Sequence, residues 1–111
     1  MKIQPADKFE WRFAGYARGE RAVLRTAPGG GRTSILRLKA GAKSPRHRHE
    51  VGEDVLVLSG KITLGGVLMG AGDYAWTDAG EEHDLIAVED AMVYVASERP
   101  IHVVEEPPGS P

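Results

Sequence analysis

The chain has no cysteine, which excludes disulfide bonds and thiolate metal ligands. It also has no excess of charge of one sign, because its fourteen basic and sixteen acidic residues give a net charge of −2 at pH 7. A balance of this kind directs it neither to nucleic acid nor to an anionic membrane. No apolar stretch approaches the ~18 residues of a membrane-spanning helix. The first residues, MKIQPADKFEW, contain no apolar segment of a secretory signal, so we expect a soluble cytoplasmic protein.

Long helical patterns and internal repeats are also missing from the 111 residues. The chain has instead fourteen glycines and seven prolines, which suit the many turns of an all-β protein. Short apolar segments separated by turns about every 8–12 residues predict about eight to ten strands in a barrel or sandwich. The length suits one domain. We expect it to cover residues 9–104, between a flexible N-terminal lead-in (1–8) and a flexible, proline-rich tail (105–111).

In the N-terminal third, residues Phe9 to Phe13 alternate apolar and polar side chains, which predicts a half-buried strand. Its aromatic side chains could pack in the core, cover one end of a barrel or meet a partner subunit. The glycine-rich segment APGGGR (27–32) precedes the strand-like segment TSILRLK rather than a helix, so it is interpreted as a hairpin loop and not as a phosphate-binding loop.

Within that second segment, Arg37 shares a face with Ile35, while Leu36 and Leu38 share the other face. If Arg37 points into the barrel, it could hold a substrate carboxylate or enolate by a pair of hydrogen bonds, which makes it a candidate catalytic residue. The other interpretation is a solvent-facing arginine on the outside of the sheet.

The most informative stretch of the chain is GAKSPRHRHEVGEDVLVLSG. On a strand, His47 and His49 point the same way about 6–7 Å apart, and they can share an ion if the strand curves inward. The segment Glu50 to Gly52 predicts a turn, with Gly52 in an unusual backbone conformation. A hairpin at this turn would bring Glu53 back beside the two histidines. Two histidines and one carboxylate on a concave face predict a divalent-metal site with open coordination positions.

A further ligand candidate, His83, lies downstream in the segment GDYAWTDAGEEHDLIA, so three of the four histidines fall in two stretches. Leu85 and Ala87 continue the face of His83, which predicts a small, apolar pocket wall beside it. The remaining histidine, His102, is expected on the surface or in ordinary packing.

The strand that begins at Glu53 is apolar on both faces. Val55 and Val57 share the face of Glu53 and are expected to line the metal cavity. Leu56 and Leu58 then need cover from a second sheet, from the N-terminal aromatic strand or from another subunit. A homodimer is therefore one expectation, because exposed apolar patches tend to mark interfaces.

Three aromatic residues in the second half of the chain leave alternatives open. Tyr74 and Trp76 share a face of one predicted strand and could form a pocket wall or pack in the core. Tyr94, in the predicted strand Ala91–Ser97, could place its hydroxyl in the cavity, where it would be a further catalytic candidate.

The spacing of the first stretch resembles the first cupin motif, G-x5-H-x-H-x3-E-x6-G, from Gly41 to Gly60 without a departure. The second stretch is similar to the second cupin motif, G-x5-P-x-G-x2-H-x3-N, in Gly72, Gly80 and His83. The usual proline and asparagine of that motif are replaced, by Asp78 and Ala87 respectively.

The resemblance covers roughly residues 33–97. More loosely, the chain looks like the small single-domain cupins grouped with dihydroxyacetophenone-type dioxygenases and with the zinc-binding cupin half of ChrR-like anti-sigma factors. The resemblance implies an all-β cupin barrel, also described as a double-stranded β-helix or jelly roll. It implies that His47, His49, Glu53 and His83 bind one metal ion per chain in the interior.

Four nitrogen and oxygen ligands suit iron, manganese, nickel or zinc. The resemblance favours a metal-dependent dioxygenase-type enzyme acting on a small enol, diketone or phenol, with Glu53 as a ligand that could also accept a proton. A different class is a zinc-binding sensory or partner-binding module, which the lack of a separate acid or base favours. A third class, a sugar isomerase or epimerase, needs a cationic pocket, for which the sequence suggests only Arg37.

Overall fold

The computed structural model describes residues 1–49 and 51–104. Within these ranges the chain forms one short 3-10 turn at Ala6–Lys8 and eleven strands. The tail predicted at 105–111 and residue Glu50 of the predicted turn lie outside the described residues. The strands are β1 Arg12–Phe13, β2 Gly19–Thr26, β3 Arg32–Leu38, β4 Lys43–His49, β5 Glu53–Ser59, β6 Lys61–Leu64, β7 Val67–Gly70, β8 Tyr74–Thr77, β9 Glu82–Ala87, β10 Ala91–Ser97 and β11 Ile101–Val103.

The strands form two antiparallel sheets that face each other. One sheet has the order β1-β2-β3-β10-β5-β8 and the other has the order β11-β4-β9-β6-β7. Over the described residues, no strand of one sheet is hydrogen-bonded to a strand of the other, so the sheets are not closed into a continuous barrel. The predicted all-β jelly roll is confirmed, in the form of two layers with a core between them.

The core fills the space between the two sheets. Val55, Val57 and Val93 are almost wholly buried from the first sheet, and Ile62 meets them from the second. The inward face predicted for Val55 and Val57 is therefore confirmed, but both pack in the core and neither is among the residues that line the cavities beside Glu53. On the outer face of the same strand Leu58 is 46% exposed, and the homodimer expected to cover it remains a prediction. None of the described segments is a helix of the length and apolarity that crossing a membrane requires.

The N-terminal half follows the sequence prediction in part. β2 and β3 form an antiparallel hairpin around the glycine-rich loop, as predicted. The N-terminal strand is shorter than predicted, because only Arg12–Phe13 pairs with β2, and Phe13 is 75% exposed. Trp11 is partly buried, and the guanidinium of Arg37 lies 4.0 Å from its ring centroid. Residues 1–8 are exposed, and their flexibility remains a prediction.

The structure explains why the first motif ends in a glycine. Gly60 joins β5 to β6 with a φ of +78°. A Cβ atom at this position would lie 2.0 Å from the carbonyl oxygen of Asp90. Only glycine combines this left-handed backbone with so close an approach of the β9–β10 connection. The motif residue therefore fixes how the two sheets are joined at the end of the core away from Glu53.

Candidate metal centre

Four buried side chains meet at one end of the space between the sheets. His47, His49, Glu53 and His83 each offer one ligand atom, and these atoms all lie within 4.8 Å of one another. The three imidazole rings stand 4.7–4.9 Å apart, centroid to centroid. Residues that lie far apart in the sequence thus form one compact group of three nitrogen donors and one carboxylate.

A β-bulge places two of these histidines opposite each other. In the β4–β9 ladder, Ser44 pairs with Leu85 and His47 pairs with His83, so β4 has one more residue than β9 between these pairs. Without the extra residue, Arg46 would face His83 in the ladder. Bulges re-aim side chains in this way near functional sites. The sequence signal for the bulge is Pro45, because proline in a strand is confined to edges and bulges.

Glu53 reaches the histidines by a route other than the predicted one. β4 and β5 belong to different sheets, so the turn before Glu53 is a crossing between sheets, and the predicted hairpin is wrong. The role predicted for Gly52 is also wrong, because it is not among the residues with positive φ. A Cβ on Gly52 would lie 1.9 Å from the Trp76 ring. Gly52 is therefore required by close packing against an aromatic ring.

The hydrogen bonds of the imidazoles leave their inner nitrogens available. Nδ1 of His47 lies 2.9 Å from the carbonyl oxygen of Pro45, and since a carbonyl only accepts, this nitrogen carries the proton. Nδ1 of His49 makes a longer contact of 3.5 Å with the carbonyl oxygen of Glu81. Second contacts of this kind orient metal-binding histidines and set the tautomer in which Nε2 is the donor.

The Nε2 atoms, which face the centre of the group of donors, show whether a metal ion fits there. Nε2 of His83 is buried and has no hydrogen-bond partner within the described part of the chain, whereas Nε2 of His49 has the carboxylate of Glu53 beside it. Nε2 of His49 lies 3.0 Å from a carboxylate oxygen of Glu53, and Nε2 of His83 lies 3.9 Å from the same oxygen. Buried polar atoms without partners are costly. A divalent cation among the four donors would satisfy them together, so the group can bind a metal ion.

The protonation equilibria of two of the three histidines, His47 and His83, agree with this assignment. Burial, with the neighbouring imidazoles of His47 and His49, lowers the pKa of His83 to about 4. Burial also lowers the pKa of His47, partly offset by its bond to Pro45. For His49, burial lowers the pKa, but the adjacent Glu53 carboxylate outweighs it, and the net shift is upward. At neutral pH His83 and His47 are therefore neutral and able to donate to a metal.

The metal-free protein should lose stability as the pH falls from about 6.5 to about 4. In this range an unfolded His83 binds a proton that the folded, buried imidazole does not bind, because its folded pKa is about 4. The unfolded state then binds more protons, so stability rises with pH and is lost on acidification. His47 acts in the same direction, and His49 acts in the opposite one.

Melting temperatures of chelator-treated protein across this range measure the effect. We expect a shallower fall for His83→Gln than for wild type, and an unchanged fall for His102→Gln. Equal slopes for wild type and His83→Gln would contradict the pKa shift.

Two spaces that share Arg21, Glu53, Val95 and Ile101 in their linings lie beside the group of donors. The first, which we call the chamber, has a volume of about 30 Å³ and includes His47, Glu53 and His83 in its lining. Apolar side chains form much of the rest of its wall, including Leu85 as predicted. The second, which we call the vestibule, has a volume of about 330 Å³ and is lined by Arg21, Gly30, Arg32, Glu53, Val95, Ser97, Arg99, Pro100 and Ile101.

Two of the predicted catalytic residues lie outside these spaces. Of the two interpretations of Arg37, the structure agrees with the solvent-facing one, since its exposed guanidinium pairs with Glu20 at 3.0 Å. Tyr94 alternates with the buried Val93 and Val95, so its side chain is on the outer face and not in the cavity. The inward face of each strand was already occupied by aliphatic side chains, which excludes these two residues from it.

The remaining candidates are also peripheral. Tyr74 and Trp76 are both more than half exposed, so neither packs in the core, but both line an outer groove that also includes His83. The hydroxyl of Tyr74 donates to Asp54, and the indole nitrogen of Trp76 donates to Asp78 at 2.9 Å. His102 pairs with Arg48 in the β11–β4 ladder, so it is on the opposite face of the sheet from His47 and His49 and is not one of the four donors.

Arg21 is a residue of this region that the sequence patterns did not identify. It lines both the chamber and the vestibule from β2. Its neighbours Ala22 and Leu24 are apolar, so an alternating pattern predicts that these face the core and Arg21 faces solvent. The composition of two loops did indicate positive charge in this region. Arg32 follows the glycine-rich segment and Arg99 precedes Pro100, and both line the vestibule together with Arg21.

Comparisons with known proteins agree with this geometry. The family described as the ChrR cupin-like domain matches residues 2–102. The DNA damage-repair/toleration protein DRT102 of Arabidopsis thaliana is 30% identical in an alignment of 83 residues that covers 69% of this chain and 26% of that protein. This chain therefore spans well under two thirds of the length of that relative.

Two solved structures show the same fold. An acetylacetone dioxygenase from Acinetobacter johnsonii matches with a TM-score of 0.80 and 16% identity, over 96% of this chain and 77% of that chain. The anti-sigma factor ChrR of Rhodobacter sphaeroides, in its complex with SigE, matches with a TM-score of 0.72 and 28% identity, over 84% of this chain and 50% of that chain. With its motif residues gathered at one buried site and nearly its whole length matched, the chain belongs to the family of ChrR cupin-like domains.

Proposed function

We propose that this chain is a metal-dependent dioxygenase-type enzyme acting on a small enol, diketone or phenol. The observation that carries the proposal is the position of Glu53, which lines both the chamber and the vestibule. A small molecule in the vestibule would therefore lie next to the group of donors. The acetylacetone dioxygenase among the structural relatives has the same fold and supports the plausibility of this chemistry.

In this proposal His47, His49, Glu53 and His83 hold the metal. A bound divalent ion would supply Lewis-acid polarisation of a substrate oxygen and open positions for substrate and oxygen. Glu53 is the sole carboxylate among the described residues that line the chamber, so it is the group available to accept the proton of an enol or phenol. The apolar walls, with Leu36, Leu64 and Leu85 among them, limit the access of water to that proton.

Oxygen uptake tests the proposal directly. The metal-free protein would be reconstituted separately with iron, manganese, nickel and zinc, and each form would be screened against a panel of enolisable and phenolic compounds. We expect oxygen consumption with at least one redox-active metal and its loss in His83→Ala. Absence of oxygen consumption with every metal and every compound would contradict the proposal.

A second function is a zinc-binding sensory or partner-binding module. It is favoured by the match to the ChrR cupin-like family and by the 28% identity to an anti-sigma factor solved with its sigma partner. The lining of the chamber offers no separate acid or base among the described residues, which also favours it. Stoichiometric zinc in a closed four-coordinate site, measured by X-ray absorption, would favour this module over the enzyme.

A sugar isomerase or epimerase gains support from one finding. The sequence suggested Arg37 alone as a cationic pocket residue, whereas the vestibule is lined by Arg21, Arg32 and Arg99. Conversion of phosphorylated or acidic sugars without oxygen consumption would favour this third class. The cytoplasmic location and the homodimer remain predictions.

A further inference from the structure

Arg21 occupies an unusual position for a charged residue. It projects from β2 to the boundary between the chamber and the vestibule. Across the described residues it forms no side-chain hydrogen bond and no ion pair within 4 Å. Arg37 on the neighbouring strand, in contrast, has both a carboxylate and an aromatic ring beside it. A partly buried guanidinium that has no ion-pair partner in direct contact is costly, and the carboxylate of Glu53 acts on it only from beyond 4 Å, so its retention calls for a ligand.

The charges around Arg21 define the kind of ligand. Burial and the nearby charge of Arg32 lower the pKa of Arg21, while Tyr16 and Glu53 act in the opposite direction. Arginine nevertheless keeps its proton in proteins, so the vestibule carries a fixed positive charge. Arg32 and Arg99 lie at the exposed rim of the same space and add to its positive potential. Such a concentration of charge attracts anions.

We propose that the vestibule binds a small organic carboxylate, with Arg21 as the residue that holds the carboxylate group. This inference rests on the proposed function in one respect, since it takes the molecule in the vestibule to be the substrate of the adjacent site. The planar guanidinium matches a carboxylate through two parallel hydrogen bonds. The substrate then carries an enol, keto or phenol oxygen at one end, towards Glu53, and a carboxylate at the other.

Paired probes of equal shape test the charge preference without turnover. Benzoate and acetophenone differ in the replacement of one carboxylate oxygen by a methyl group. Binding of each to the full chain, loaded with zinc and also free of metal, is measured by calorimetric titration under argon. We expect benzoate to bind more tightly than acetophenone by about 10-fold or more, as for a hydrogen bond to a charged group.

Variants of Arg21 assign the effect to this residue. Arg21→Met roughly keeps the volume of the side chain and removes its charge. This variant should weaken the binding of benzoate by about 10- to 100-fold and leave the affinity for acetophenone unchanged. It should also raise the melting temperature of the unliganded protein by a few degrees, because it removes a partly buried charge that has no ion-pair partner in direct contact. The affinity of Arg21→Lys for benzoate should lie between those of wild type and Arg21→Met, since lysine keeps the charge but lacks the planar guanidinium. Arg37→Met is the matched control and should bind benzoate as wild type does.

Three results would overturn the inference. One is equal affinity for benzoate and acetophenone, and another is an Arg21→Met variant that binds benzoate as wild type does. The third is Arg21-dependent binding of inorganic phosphate that is tighter than that of benzoate, which would assign the vestibule to phosphate. Failure of the proposed function gives a different pattern, in which benzoate binds through Arg21 but no carboxylate-bearing enol or phenol leads to oxygen consumption.

Discussion

Replacing His83 by alanine is expected to weaken the binding of a divalent metal by more than about 100-fold, because even the partners of metal ligands change affinity by about 10- to 100-fold. His83 supplies one of four donors within 4.8 Å of one another, and its Nε2 is buried without another partner in the described structure. It is also neutral at pH 7, since its pKa is about 4. The alanine side chain leaves a gap with no atom that can replace the nitrogen.

Elemental analysis and the rise in melting temperature on adding metal measure this effect. His47→Ala should behave in the same way, because the bulge in β4 sets it directly opposite His83. His102→Ala is the control, since it removes a histidine of β11 that is not part of the group of donors. Retention of a full metal complement in His83→Ala and His47→Ala would contradict the assignment of the ligands.

Gly60→Ala is expected to lower the free energy of unfolding by about 3 kcal/mol. About 1 to 2 kcal/mol comes from a left-handed backbone with a Cβ atom, and about 1 to 3 kcal/mol comes from overpacking. The backbone argument rests on the φ of +78°. The packing argument rests on the carbonyl oxygen of Asp90, which would lie 2.0 Å from the new Cβ. That atom belongs to the backbone, so relief requires the connection between β9 and β10 to move.

Gly72→Ala separates these two contributions. Gly72 has a φ of +88°, but a Cβ there would meet no atom within 4 Å. We expect a loss of about 1 to 2 kcal/mol for this variant, from the backbone alone. Urea unfolding of both variants measures the difference. A Gly60→Ala variant no less stable than Gly72→Ala would show that the close approach of Asp90 carries no cost.

The candidate metal site was largely predictable from the sequence, because its donors lie in two motifs with recognisable spacing. The alternation of a strand puts His47 and His49 on one face, and the motif adds Glu53 and His83; all four meet at one buried point. The glycines of the two motifs also have a physical meaning, since each adopts a positive φ that other residues avoid. These are Gly41, Gly60, Gly72 and Gly80.

What the sequence did not predict depends on which sheet a strand joins. The turn before Glu53 was expected to close a hairpin, but the strands on either side pair with other partners in separate sheets. Strand alternation put Leu36 and Leu38 on one face and Arg37 on the other, but it did not decide which face is inward; the structure puts the two leucines in the core. Arg21 was not identified because it is a charged residue on the inward face of its strand, where apolar residues are the rule.

The most direct test of this account is the metal content of the wild-type protein purified without added metal and then reconstituted from the metal-free form. The account predicts close to one divalent ion per chain, in a protein whose melting temperature falls when the ion is removed. The central claim is that His47, His49, Glu53 and His83 form a metal site. Only trace amounts of metal per chain, even after reconstitution with iron, manganese, nickel and zinc, would contradict it.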